Sequence, residues 1–317
     1  MTNKKNNRKT ATEMPAKNNG KANGKKNKTG ENHHKKRTVQ DYKSGVKPVW
    51  CPGCGHYGCL SAFYKGLVQN EINPKDLTLV SGIGCSGRFS HFVRGYCFHV
   101  LHGRVLPTCQ GIAAAADPGV VVCGISGDGD ALAIGGGHLP HTARRNPNMV
   151  YIILDNSIYG LTKGQFSPTT RHGMRTATSP YGVTEKRLDP LSLLLAYDAS
   201  FVARGFSANN KQLANIMARA IRHRGFSVVH VLSPCVTFNK EITYDYLSQN
   251  TKELPEDFDE SNKVDAFKYA QDESAIYTGV FYHENRPTLQ EYHDEAIKTA
   301  RKDPNAGDLE HLLNTFT

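Results

Sequence analysis

The stretch VVVCGISGDGDALAIGGGH, residues 120–138, constrains the fold more than any other part of the chain. It begins as a nearly unbroken β-branched run, VVVCGI, breaks into a glycine–aspartate turn and continues with helical character. A strand that is apolar on both faces must be covered on both sides, and the chain leaves its tip through a turn that opens a helix. The same alternation runs from Tyr42 to about Asn239. Further strand candidates are 77–81, 149–154, 199–203 and 226–232; helix candidates are 57–69, 109–117, 129–144 and 210–223. In the last of these, Leu213, Ile216, Met217, Ala220 and Ile221 fall on one stripe that ends at Gly225. The pattern predicts an α/β fold with a doubly wound, mostly parallel sheet.

Strand–turn–helix junctions place backbone N–H groups and a helix N-terminus at the carboxyl edge of such a sheet, where phosphates bind. Asp128 at that edge would repel a bare phosphate, so a divalent cation is expected between them. The next strand, 149–154, runs into Asp155-Asn156-Ser157-Ile158-Tyr159-Gly160. Neighbouring strand tips would bring Asp128, the Asn156 amide oxygen and the Ile158 carbonyl to one octahedral Mg²⁺, with a diphosphate completing its shell. Alone, a glycine–aspartate turn is common; paired with this strand end it resembles the thiamine diphosphate (ThDP) fingerprint. That fingerprint usually carries Asn-Asn where this chain has Asp155-Asn156, which leaves the role of Asp155 open.

Four of the eight cysteines stand in glycine-, serine- or proline-rich loops: Cys51 and Cys54 in CPGC, Cys85 in SGIGCSG after the strand 77–81, and Cys235 in LSPC after the strand 226–232. A zinc ribbon normally uses two similar CxxC pairs. A thioredoxin-like dithiol follows a first strand, whereas CPGC opens this domain. One CxxC pair with two dispersed cysteines suits a [4Fe–4S] cluster better than zinc, although spacing alone leaves both open. Cys59, Cys97, Cys109 and Cys123 lie in apolar or helical surroundings and read as packing residues.

The formal charge of +10 first suggests nucleic acid. However, residues 1–40 hold 12 of the 39 Lys/Arg and 2 of the 29 Asp/Glu, which leaves the remainder neutral with 27 of each. Residues 1–40 are expected to be a disordered basic tail, poor in apolar side chains. They show no secretory or transit pattern, and nothing approaches the ~20 apolar residues of a membrane span. A soluble, cytoplasmic protein with no nucleic-acid or membrane partner is expected. Residues 41–240 read as one cofactor-binding α/β domain. Residues 241–317 read as an extension on the core or a partner, acidic and tyrosine-rich, with a helix near 288–302 and no strands.

CPGCGH, GIGCSGR, LHGR (101–104), GDGDALAIGG, YGLTKGQ (159–165) and the late SPC, in this order, resemble the β subunits of 2-oxoacid:ferredoxin oxidoreductases across roughly residues 42–240. The resemblance implies the diphosphate-side ThDP fold, with ThDP, Mg²⁺ and a [4Fe–4S] cluster on Cys51, Cys54, Cys85 and Cys235. It implies Ile83, Gly84, Cys85, Ser86, His102, Gly127, Asp128, Gly129, Asp130, Tyr159, Gly160, Leu161 and Thr162 at the cofactor, with His56 nearby, and Asp128, Asn156 and Ile158 at Mg²⁺. The implied reaction is reversible, CoA-dependent oxidative decarboxylation of a 2-oxo acid, with electrons leaving singly to ferredoxin. No activating glutamate is found here; the resemblance places it on a partner α subunit, giving an αβ unit that doubles to (αβ)₂. Arg88 and Lys163 are cations that could pair with a second substrate carboxylate. With the YGLTKGQ form they point to 2-oxoglutarate, with pyruvate or branched 2-oxo acids as alternatives. A ThDP decarboxylase without redox chemistry would leave the cysteines unexplained. A zinc-stapled nucleic-acid-binding protein would leave the Asp128/Asn156 pairing unexplained.

Overall fold

The computed structural model describes residues 36–304 and 307–316. The expected tail lies outside them except for 36–40, which lead into a 3₁₀ turn at Val39–Tyr42. Tyr42 is buried there; its hydroxyl donates to the Ile72 carbonyl at 2.7 Å and lies 3.0 Å from that of Leu67.

Among the described residues the sheet has eight strands: β1 (Leu77–Ser81), β2 (Tyr96–His99), β3 (Val121–Gly127), β4 (Met149–Asp155), β5 (Phe201–Phe206), β6 (Phe226–Leu232), β7 (Thr251–Glu253) and β8 (Ile276–His283). Their order is β2-β1-β3-β4-β6-β5-β8-β7. The first six in that order are parallel; β8 joins β5 antiparallel and β7 runs parallel to β8. The helices are α1 (His56–Gln69), α2 (Val105–Ala115), α3 (Leu139–Arg145), α4 (Pro190–Ala196), α5 (Asn210–Arg222), α6 (Tyr244–Asn250), α7 (Lys263–Gln271), α8 (Leu289–Ala300) and α9 (Leu309–Asn314).

Every residue of β1, β4, β5 and β6 is buried, because helices cover both faces. The pleat sorts the side chains between two cores. Val150, Ile152 and Leu154 of β4 pack with Leu60, Phe63 and Leu67 of α1 and Leu213, Ile216 and Met217 of α5. Met149, Tyr151 and Ile153 pack on the other side with Leu106, Leu139, Leu191 and Leu194. Each such side chain contributes roughly 1.5–3 kcal/mol on burial.

The structure departs from the sequence reading in several places. Residues 130–134 form a π-helical turn, and a 3₁₀ turn at Gly136–His138 precedes α3, so the expected helix 129–144 is broken. Three successive glycines, 135–137, weaken it there. β2 escaped detection because it is an edge strand with all four residues exposed, so it lacks a buried apolar pattern. Cys97 consequently lies exposed on that edge rather than in packing, whereas Cys59, Cys109 and Cys123 are buried as expected. β7 and β8 give residues 241–317 strands where none were read; IYTGVFYH is tyrosine-rich and only partly buried, so it resembles the loops around it. α8 lies within the expected 288–302.

The chain passes from β1 outward to β2, then returns to place β3 on the other side of β1. Such a reversal opens a crevice beyond the carboxyl ends of the two inner strands.

Candidate active site

That crevice is a cavity of about 350 Å³. Residues 83–86 after β1, 127–130 after β3 and 158–162 after β4 line it, together with His56, His102, Leu154 and Asn156. The thirteen positions expected at the cofactor, and His56, are thus brought to one cavity.

Asp130 ties its walls together. Its Oδ1 accepts from Gly103 N at 2.8 Å and Ile83 N at 3.3 Å, and its Oδ2 from Ser126 Oγ at 2.5 Å. His102 Nδ1 lies 2.7 Å from the same Oδ1, close but out of line for a hydrogen bond. A Cβ on Gly82 would stand 1.9 Å from this carboxylate, so only glycine admits the approach. Gly129 is equally confined: a Cβ there would lie 2.2 Å from the Tyr159 ring, whose hydroxyl donates to the Gly129 carbonyl at 3.3 Å.

Asp128 and Asn156 follow adjacent parallel strands and are both buried. Burial, then the charge of Asp155, lifts the Asp128 carboxyl from 3.8 to about 7. Its Oδ2 accepts from the Ser167 hydroxyl and lies 2.8 Å from Thr169 Oγ1. The Asn156 Oδ1 accepts from Ile158 N at 3.1 Å, which turns its amide oxygen toward the Ile158 segment. Carboxylate, amide oxygen and carbonyl form a hard-oxygen set, and among the described residues no cationic side chain acts on the buried acid; both features fit Mg²⁺. Asp155 turns one oxygen to each side: its Oδ2 accepts from His230 Nε2 at 2.8 Å, and its Oδ1 lies 2.8 Å from the Thr169 hydroxyl that also meets Asp128. Burial opposes its ionisation, but the hydrogen bond from His230 and the contacts of Thr169 and Ser157 hold it below the usual range.

The loops carrying Cys51, Cys54, Cys85 and Cys235 also converge. A Cβ on Gly160 would lie 3.6 Å from Cys235 Sγ and 3.7 Å from Cys85 Sγ. Burial, followed by the neighbouring thiols of Cys235, Cys85 and Cys51, pushes Cys54 up to about 12. Burial and the Cys235 thiol likewise raise Cys85. Four thiolates here would need positive charge among them, which iron supplies. Among the described residues, no three His, Cys, Asp or Glu side chains close on a point where one ion could sit. Ligands of a multi-atom cluster stand farther apart than those of a single zinc ion.

The two cations read as substrate partners stand outside the cavity lining. Arg88 donates from Nη1 to the Val49 carbonyl at 2.8 Å, beside the CPGC loop. Lys163 is exposed at the tip of the 159–165 turn with φ 77°, a left-handed conformation unusual outside glycine. His56 is buried, its Nδ1 lies 2.7 Å from Ser233 Oγ, and burial lowers it to about 4, so it walls the cavity as a neutral ring.

Sequence reasoning missed Ser126, Ser167, Thr169 and His230, all of which touch site carboxylates. Only His230 left a signal, as a polar residue inside FSVVHVL, a strand apolar on both faces.

Residues 82–231 match the family described as thiamine pyrophosphate enzyme, C-terminal TPP binding domain. Residues 235–298 match the family that describes the C terminal of the pyruvate ferredoxin oxidoreductase beta subunit. The chain is 37% identical over 258 residues to 2-oxoacid:ferredoxin oxidoreductase 1, subunit beta, of Aeropyrum pernix, covering 78% of this chain and 81% of that one. It is 40% identical over 200 residues to the Mycobacterium tuberculosis 2-oxoglutarate oxidoreductase subunit KorB, covering 63% and 53%. Among solved structures it superimposes on 2-oxoglutarate:ferredoxin oxidoreductase from Magnetococcus marinus, with 2-oxoglutarate, coenzyme A and succinyl-CoA bound there; the TM-score is 0.82 at 38% identity, covering 89% of this chain and 96% of that one. A crevice at the sheet's switch point, a glycine–aspartate turn across it and matches running through core and C-terminal strands all point the same way: this chain belongs to the β subunits of the 2-oxoacid:ferredoxin oxidoreductase family.

Proposed function

We propose that this chain, joined to an α subunit, carries out the CoA-dependent oxidative decarboxylation of 2-oxoglutarate to succinyl-CoA and CO₂, reversibly, and passes electrons singly through a [4Fe–4S] cluster to ferredoxin. The observation that carries this reading is Cys85. It lines the cavity, and its sulfur neighbours Gly160 together with that of Cys235. One loop thus touches both the cofactor crevice and the thiol set. The M. marinus structure and the M. tuberculosis relative, both named for 2-oxoglutarate, support the substrate.

When bound, ThDP supplies the carbon nucleophile and electron sink that decarboxylation requires. The chain's own residues do the rest. Residues 83–86 and 127–130 line the cavity where a diphosphate would lie. Asp128, Asn156 and the Ile158 carbonyl would hold Mg²⁺. Ile83, Leu161 and the Tyr159 ring add apolar surface to the cavity lining. Cys51, Cys54, Cys85 and Cys235 would hold the cluster. The cavity wall from the described residues contains no glutamate, so the acid that activates the cofactor is assigned to the α subunit. Residues 41–240 then form the cofactor domain, with 241–317 as its extension.

The assembled αβ protein should reduce viologen with 2-oxoglutarate and CoA faster than with pyruvate and CoA; the reverse order would replace the substrate. Lys163→Ala should raise KM for 2-oxoglutarate about tenfold, the scale of one charge-assisted hydrogen bond, and leave that for pyruvate unchanged. Equal changes would remove Lys163 from substrate binding. Gly129→Ala should weaken ThDP binding about tenfold or more, because the new methyl must push the Tyr159 ring into the cavity; calorimetry of ThDP binding reads this directly.

A further inference from the structure

A line of buried polar groups runs away from Asp128, and the reaction assigns it no task. Thr169 Oγ1 lies 2.8 Å from both Asp128 Oδ2 and Asp155 Oδ1. The other oxygen of Asp155 meets His230 Nε2 at 2.8 Å, and His230 Nδ1 accepts from Arg204 Nε at 3.1 Å. Arg204 Nη2 continues to Asp189 Oδ1 at 3.1 Å. Thr169, Asp155, Arg204 and His230 are each less than a tenth exposed.

The order of donors is fixed by chemistry. An arginine Nε–H can only donate, so His230 Nδ1 must present a lone pair. The hydrogen of the imidazole then sits on Nε2 and points at Asp155. Asp155 Oδ1 also accepts from Ser157 N at 2.8 Å, which leaves the carboxylate one orientation. We propose that Asp155, held by His230 and Arg204, is a positioning residue for the magnesium–diphosphate site: Asp155 and Asp128 share the single hydrogen of Thr169 Oγ1, so the placement of Asp155 sets where that hydroxyl stands against the Asp128 carboxylate. This accounts for the aspartate where the ThDP fingerprint usually has asparagine. Buried Arg204 needs negative charge on both sides; Asp189 supplies one and Asp155, through a neutral imidazole, the other. A side-chain amide in place of the Asp155 carboxylate could rotate its NH₂ toward Thr169 or His230 and release that order.

The inference rests on Asp128 as a Mg²⁺ ligand. Its test is Mg²⁺ titration of the assembled αβ protein by calorimetry, with saturating ThDP, at pH 8. Asp155→Asn and Thr169→Val should each weaken Mg²⁺ about tenfold, as groups that orient metal ligands do. Thr169→Ser, which keeps the hydroxyl, should bind like wild type. The double variant Asp155→Asn/Thr169→Val should bind no worse than either single one, because both cut the same line. Mg²⁺ affinities within about twofold of wild type, with only the unfolding temperature lowered, would leave a purely structural role and overturn the inference. So would additive losses. If Asp155→Asn does not fold, the Thr169→Val and Thr169→Ser pair decides alone. Wild-type protein that binds no Mg²⁺ with ThDP would instead overturn the metal-site reading beneath it.

Discussion

Cys235→Ser should reduce ferredoxin-linked turnover of the assembled protein to below about 1% of wild type, since a [4Fe–4S] cluster rests on four thiolates and serine is a poor substitute. Iron content and broad visible absorbance should fall with it. Binding of ThDP should survive, which separates loss of the electron exit from collapse of the site. The local structure makes that separation realistic. The Cys235 loop is held largely by contacts that do not need the thiol: Asn239 N donates to the Cys235 carbonyl at 3.2 Å, and Asn239 Nδ2 to the Asn156 carbonyl at 2.9 Å. Among the described residues only Phe238 N, at 3.5 Å, uses the sulfur. The Asn239 bond also clamps this loop to the strand end expected to hold Mg²⁺, so truncating Asn239 would confuse the result and serine at 235 is the cleaner change. Cys97→Ser is the control: exposed on edge strand β2, it should alter neither iron nor turnover. Full iron and unchanged absorbance in Cys235→Ser would remove this residue from the ligand set.

How much of this was legible in the sequence follows from what each element buries. β1 and β6 were read to the residue because aliphatic runs covered on both faces advertise themselves. β2 and β8 were not, since one is wholly exposed and the other mixes tyrosines with partial burial. Cavity residues were legible where glycine forces them: the turns at 82–84 and 127–129 must let backbone approach side chains such as Asp130 and Tyr159. The supporting layer was not legible. Ser167 and Thr169 reach Asp128 from a loop about forty residues downstream, and no local pattern announces contacts set only by the folded chain. Arg88 shows the converse, a cation near the right motif that the fold ties to the CPGC loop instead.

Asp128→Asn should abolish productive Mg²⁺ binding yet stabilise the metal-free protein at alkaline pH, and the two effects share one cause. In the metal-free fold, burial and then Asp155 raise the Asp128 carboxyl from 3.8 to about 7. Between these values the folded state keeps a proton that the unfolded state has released. Stability of the metal-free protein therefore falls as pH rises through that window, and above about pH 7 the full penalty applies, on the order of 4 kcal/mol at most. Asparagine carries no charge and escapes it, so metal-free Asp128→Asn should unfold at higher temperature than metal-free wild type at pH 8, with the difference vanishing near pH 4. Mg²⁺ reverses the balance, since the cation needs the carboxylate that the fold alone disfavours. Wild-type Mg²⁺ affinity should consequently drop about tenfold per pH unit below 7, one proton being taken up for each ion lost, while the weak residual binding of Asp128→Asn should be flat across that range. Calorimetric Mg²⁺ titrations at pH 6, 7 and 8 with ThDP present, alongside thermal melts without metal, measure both arms. A variant that binds Mg²⁺ as wild type does, or a wild-type affinity independent of pH, would mean that this buried acid serves the fold alone.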